Sequence, residues 1–361
     1  MSKLKSLNRE VSWGRVVNLT QKAVLAKHLS IMLNAGLTVV ESLSVAIDST
    51  TGRLQKILKR VKQSVESGTA LSVALERHGD VFAGVFINAI YAGERSGNLA
   101  VNLSELSSSL EKERNLRAKV KSAMIYPAIV FFATIVLGLV IAFFILPKLT
   151  PLFLGLNIAL PWTTRALIWI ANFVDNFGLI TLVAAIVVVL LLRWSLRLSA
   201  MVPISHWVTL HLPAFGRMSA KLNLARLAGT MGLLLKSGVR IDEAITVTQK
   251  TIGNYYFKQS LARAAADLDG GAKLSESLAK NPALFPPLFT RLIGVGEVSG
   301  QFEETFFYLA EFYEEEVDAE AKRLSTALEP ILLLIIGLVV GGLALSIITP
   351  IYELTGNVRG S

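Results

Sequence analysis

The 361-residue sequence contains no cysteine. That excludes disulfides, thiolate nucleophiles and Cys-ligated zinc or iron–sulfur clusters, and leaves the compartment open. Charge is also scarce: Asp, Glu, Lys and Arg together make up 17% of the chain, against about 25% in ordinary soluble proteins. With 52% hydrophobic residues, this argues against a purely soluble globular protein. It argues equally against disorder, which needs low hydrophobicity and dense charge. Histidine is rare, and His28, His78, His206 and His211 have no metal-ligand spacing. A P-loop, a GxGxxG after a strand, HExxH and GxSxG are all missing. No catalytic, cofactor or metal site is therefore assigned. What is present is a net charge of +9, which nucleic acid, anionic lipid or an acidic partner would each attract.

Three long apolar segments stand out. Ser122 to Pro147 carries no charge, and Pro127 and Pro147 bracket its apolar heart. Ala166 to Leu192 is apolar except for Asp175, and Pro330 to Tyr352 is again uncharged. About 20 residues at roughly 1.5 Å rise cover the hydrocarbon core of a bilayer, so all three read as transmembrane helices. Residues 1–121 hold 18 Lys and Arg and residues 193–329 hold 15, while the short connector between the first two spans holds 2. The positive-inside rule places both large polar regions in the cytoplasm and the short tail after the third span outside.

The two polar regions are copies of each other. Between 68–99 and 271–302, at an offset of 203, 11 of 32 positions are identical, among them Phe82 with Phe285 and Gly93-Glu94-x-Ser96-Gly97 with Gly296-Glu297-x-Ser299-Gly300. Pro127 falls on Pro330 at the same offset, and Gly36 on Gly238 at 202. A nearly constant spacing over separate landmarks is an internal repeat. Each copy reads as helical. Leu25, Leu29, Met32 and Leu33, closed by Gly36, form a stripe that Leu224, Leu227, Met231 and Leu234 repeat before Gly238.

Several residues are candidates for partner contacts. Glu94 and Glu297 either accept backbone N–H bonds at the start of the long helix that follows or present a carboxylate to a partner or cation. Glu314, Glu315 and Glu316 lie in an acidic helical run, read as a solvated face or a docking surface for a basic partner. The matching stretch of the first copy, Leu110 to Lys121, is basic instead. Glu329 stands just before Pro330 where the third span begins, a costly and often functional place for an acid. Its ordinary alternative is a carboxylate held at the interface by Arg323 or water. The basic residues from Lys56 to Lys62 lack interleaved aromatics, so nucleic acid is not an expected partner.

Two copies with G-x-x-x-x-E-[AS]-[LI] and GExSG, then Lys119 through Tyr126-Pro127 into a span ending at Pro147, resemble the type II secretion F-domain family. Leu212 to Gly216, Ala225-Arg226 and Gly232 to Val239 resemble the start of its second domain. The resemblance covers about residues 20–355, and a short N-terminal region brings it nearest to the type IVb pilus members. It implies an all-α membrane protein with two six-helix-bundle cytoplasmic domains and three transmembrane helices. The expected layout is a tail over 1–19, a first cytoplasmic domain over 20–122, spans over 123–148 and 169–193 joined by a periplasmic connector over 149–168, a second domain over 194–328, a third span over 329–352 and a periplasmic tail over 353–361. The resemblance further implies a non-enzymatic inner-membrane platform, forming homo-oligomers and working with a cytoplasmic hexameric ATPase, pilins or pseudopilins, other inner-membrane assembly proteins and membrane lipid. The equivalent platform of a type II secretion system is the alternative. A small-solute transporter is disfavoured, because it would need more spans and polar residues facing a pathway, and three helices with one internal acid offer little of either.

Overall fold

The computed structural model describes residues 17–141, 144, 148, scattered positions between 165 and 195, 201–212 and 215–358. The N-terminal tail through residue 16, most of the connector and of the second expected span, and residues 359–361 lie outside the described residues. Every element among the described residues is a helix. The first, α1 (Leu19–Asn34), starts at a capping box: Asn18 Oδ1 accepts from Gln21 N at 2.8 Å and Gln21 Oε1 accepts from Asn18 N at 3.0 Å. Thr38 and Glu41 repeat the device at α2 (Val39–Asp48). There follow α3 (Gly52–Glu66), α4 (Leu71–Glu76), α5 (Gly84–Ser96) and α6 (Leu99–Val140). After α7 (Val202–His211) the order recurs as α8 (Phe215–Lys236), α9 (Ile241–Thr251), α10 (Tyr255–Asp269), α11 (Leu274–Ala279), α12 (Pro287–Ser299) and α13 (Phe302–Val358). The repeat is legible in length: α3 and α10 each have 15 residues, α4 and α11 each 6, α5 and α12 each 13.

The chain divides into two compact units. One takes the described residues up to Ala118 together with Arg217–Val317, and so contains the globular parts of both copies. The expected stripes point into its core: Leu25, Leu29, Leu224, Leu227, Met231 and Leu234 are buried, and Met32 and Leu33 pack against the cluster that holds Leu25 and Leu29. Phe82 and Phe285, equivalent in the repeat, are both 0% exposed. Each contributes on the order of 1.5–3 kcal/mol by leaving water. Phe285 sits between Phe257 and Phe289, at ring-centroid distances of 5.4 and 5.9 Å. The copies share packing as well, since Leu233 of α8 joins the core of the first copy and α5 packs against α9.

The other unit takes Lys119–Gly216 and the chain from Asp318 onward. Within α6 and α13, Leu99–Gly138 and Phe302–Gly342 are long and apolar enough to cross a membrane. Their large side chains face outward, Phe132 at 67% exposure and Leu338 at 76%. A surface of that kind is stable in a lipid solvent, where every backbone group of a helix is satisfied within the helix. Pro127 lies inside α6 and is buried. Near it, Ser325 Oγ of α13 donates to the Ala123 carbonyl of α6 at 2.9 Å. The last helix continues through Val358, beyond the expected end of the third span at residue 352.

Candidate partner-binding surfaces

The GExSG motif does its work inside each copy. Gly97 and Gly300 close α5 and α12 in the left-handed region, at φ of 72° and 74°, where a side chain is strained. Gly93 and Gly296 answer a different need. A Cβ on Gly93 would lie 2.9 Å from Leu99 Cα, and one on Gly296 would lie 2.5 Å from Thr305 Oγ1. The missing side chain lets the following helix pack directly on the preceding one. Gly36 and Gly238 end α1 and α8 as expected, also at positive φ.

Glu94 and Glu297 accept backbone N–H bonds at a helix start, but at a different helix from the expected one. Glu94 takes Leu71 N at 2.5 Å, Ser72 N at 3.2 Å and the Ser72 hydroxyl, capping α4 from across the bundle. Glu297 takes Leu274 N at 2.8 Å, Ser275 N at 3.3 Å and Ser275 Oγ at 2.6 Å, capping α11. A helix start without a side-chain cap of its own leaves N–H donors unsatisfied, and a carboxylate there also meets the positive end of the helix dipole. The sequence hid this because the donors lie 22 and 23 residues upstream. Ser299 Oγ does accept from Gln301 N, at 3.4 Å, at the start of α13.

The acidic run of α13 is divided among several tasks. Glu316 pairs with Lys221 of α8 at 2.6 Å, Glu315 is exposed, and Glu314 lines a cleft of about 270 Å³ between the two copies. Lys22, Glu113, Arg117, Arg226 and Phe307 line the same cleft. Glu113 accepts from Arg226 Nη2 at 2.8 Å and Nε at 3.0 Å, and from Arg117 Nε at 2.5 Å. Burial, then the neighbouring Arg117 charge, holds the Lys22 ammonium below the ordinary lysine range. Lys236 makes a second ionic link between copies, to Glu105 at 2.9 Å. Buried Tyr313, beside Glu316, has its phenol pushed up to about 12 and stays protonated. None of these long-range pairs has a local signal in the sequence. Along α3, Lys56, Lys59 and Arg60 are exposed, and Lys62 pairs with Glu66 at 3.5 Å.

In the second unit, charges gather where the apolar stretches begin. Lys322 and Lys119 lie 3.1 and 3.6 Å from Asp318, and the Lys322 contact chiefly holds the Asp318 carboxyl below the usual range. Glu329 is exposed. Of the alternatives for Glu329, the hold by Arg323 is not seen among the described residues, where Arg323 pairs with Glu320 at 3.4 Å, one turn away on the same helix.

These features define a duplicated, all-helical protein with apolar helices of membrane-spanning length, in which motif carboxylates hold helices together. The chain belongs to the family described as type II secretion system (T2SS), protein F, whose domain matches twice, at residues 25–147 and 227–350. It is 33% identical to the type IV pilus assembly protein PilC of Thermus thermophilus, over 98% of this chain and 88% of that one. The type 4 fimbrial assembly protein PilC of Pseudomonas putida is 30% identical over 98% of this chain and 88% of its own. The type II secretion system protein F of Pseudomonas aeruginosa is 29% identical over 95% of this chain and 85% of its own.

Proposed function

We propose that this chain is the inner-membrane platform of a type IV pilus assembly machine, coupling a cytoplasmic hexameric ATPase to insertion of pilins into the fibre. The observation that carries the reading is the double occurrence of the family domain, at residues 25–147 and 227–350, beside pilus-assembly relatives that align over 98% of the chain. The equivalent platform of a type II secretion system is the second reading, favoured by relatives of that name. In either machine the chain does no chemistry of its own: it binds, and transmits movement.

The proposed layout is two cytoplasmic six-helix bundles, over 20–122 and 194–328, and three spans, over 123–148, 169–193 and 329–352. The N-terminus lies in the cytoplasm and the C-terminal tail in the periplasm. The lysines and arginines beside the first span favour that orientation. Their neighbourhood also suits anionic lipid headgroups.

For the ATPase we assign the exposed basic side of α3 and the exposed Glu315. Glu316 and Glu314 are poorer docking residues, since reversing Glu316 would break the pair with Lys221 and Glu314 lines the cleft. Gly36, Gly93, Glu94, Gly97, Pro127, Gly238, Gly296, Glu297 and Gly300 are assigned to architecture, and Glu329 to the membrane border. In-frame deletion with plasmid complementation tests the reading. Loss of surface pili with normal secretion is the expected result. Loss of secretion with normal piliation would move the chain to the second machine, and no effect on either would contradict both.

A further inference from the structure

Both walls of the cleft between the copies belong to one compact unit. Its volume of about 270 Å³ is close to the lower end of small-molecule sites, which are concave, mostly apolar and common where domains meet. Buried Phe86, Leu116 and Ile252 and half-buried Phe307 supply the apolar part of the lining. The charged part has cations in excess: Lys22, Lys112, Arg117 and Arg226 against Glu105, Glu113 and Glu314. Glu113 is shared by Arg117 and Arg226, and Glu105 is taken by Lys236. Among the described residues neither Lys22 nor Lys112 makes an ion pair. Asp80 attracts Lys22 less than Arg117 repels it, and is itself paired with Arg53.

The fold itself does not require these cations, because the second copy does without them. At the 202 offset Lys22 falls on Leu224, and at 203 Arg117 falls on Glu320. Leu224 is 1% exposed, so the same place in the second copy holds an ordinary core leucine. The first copy instead holds a half-buried ammonium there, near a guanidinium. Burying a lysine without a counter-ion costs stability. An anion between the two cations would remove that cost.

We propose that the cleft binds a small organic anion, its charged end held by Lys22 and Arg117 and its apolar body against Phe86, Leu116, Ile252 and Phe307. Carboxylates and phosphates share the chemistry this requires, a compact negative group on an aromatic or branched body. The lining comes from α1, α5 and α6 of the first copy and from α8 and α13 of the second. A ligand seated there ties the copies together and stabilises the folded chain by mass action. The inference goes beyond the platform reading and does not depend on it.

The test is calorimetric titration of the full-length chain, in a non-ionic detergent, with phenylphosphonate, benzoate, inorganic phosphate and benzyl alcohol. Saturable binding of one phenylphosphonate or benzoate per chain is expected. It should be at least ten-fold tighter than that of inorganic phosphate, which lacks the body, or benzyl alcohol, which lacks the charge. Whichever of phenylphosphonate and benzoate binds more tightly tells a phosphate site from a carboxylate site. Lys22→Leu, which installs the residue of the second copy, should weaken binding at least ten-fold, while the unfolding temperature without ligand stays level or rises. Lys22→Gln, of similar length, repeats the test without a change of packing. Lys258→Leu, at an exposed lysine of the second copy, should leave binding unchanged. Equal binding of inorganic phosphate, undiminished binding in both Lys22 variants, heat without saturation, or no binding up to about 10 mM would each overturn the inference. So would Lys22 variants that lose capture of a cytoplasmic protein while no probe binds the wild type, because the cleft would then belong to a protein segment. Each of these failures leaves the platform reading standing.

Discussion

Glu94 and Glu297 each spend a carboxylate on the first N–H groups of a two-turn helix. Removing such an acceptor leaves part-buried donors unpaired, at a cost of about 1–3 kcal/mol. Glu94→Ala and Glu297→Ala should therefore lower the unfolding temperature of the detergent-solubilised protein, and the Gln variants, which retain an acceptor oxygen, should lower it less. Gly93→Ala should be among the most damaging of the motif substitutions, since its Cβ would meet backbone at Leu99 rather than a movable side chain. Gly97→Ala meets no atom and carries only the strain of positive φ, about 1–2 kcal/mol. At Asp267, hydrogen bonds from Lys280 and Ser277 hold the carboxyl below the usual range. A depressed carboxylate stabilises the fold above its unfolded value, near pH ~4, and that contribution disappears as pH falls through the lower folded value. Asp267→Asn should accordingly lower the neutral plateau of a stability-versus-pH curve and flatten its acid limb, with little change at the acid end.

At the scale of elements, local chemistry wrote much of the fold into the sequence. The Leu25–Leu29 stripe and its stop at Gly36 mark α1, and the same signals before Gly238 mark α8. The starts of α6 and α13 follow directly from the GExSG turns. What was not legible is what depends on chain folding back on itself. Which helix Glu94 caps, that Glu316 is taken by Lys221, and that Arg226 reaches Glu113 across 113 residues all require tertiary neighbours that no periodicity encodes. The Arg226–Glu113 pair offers an element-scale prediction. Both side chains are mostly buried, at 30 and 20% exposure, and they tie α8 to α6. A double-mutant cycle with Arg226→Gln and Glu113→Gln should give a coupling energy of about 1 kcal/mol. The same cycle on the more exposed Lys27–Glu111 contact, at 3.9 Å, should give close to none.

For the whole molecule, the +9 resolves into a difference between the copies. Residues 1–121 hold 18 basic and 10 acidic side chains, whereas residues 193–329 hold 15 of each. A duplicated fold thus presents one basic and one neutral copy, which suits a part that must address two different neighbours. The exposed Lys56, Lys59 and Arg60 concentrate that excess on one helix of the first copy, where an acidic patch of an ATPase would be steered to it. The most direct test is affinity capture of the cognate pilus ATPase by the solubilised full-length chain, with ATP hydrolysis followed in parallel. The platform account predicts that the wild-type chain retains the ATPase, that Lys56→Glu/Lys59→Glu/Arg60→Glu weakens retention at least ten-fold without changing the unfolding temperature, and that hydrolysis appears only when the ATPase is present. ATP hydrolysis by the chain alone, or a wild-type chain that retains no ATPase, would contradict it.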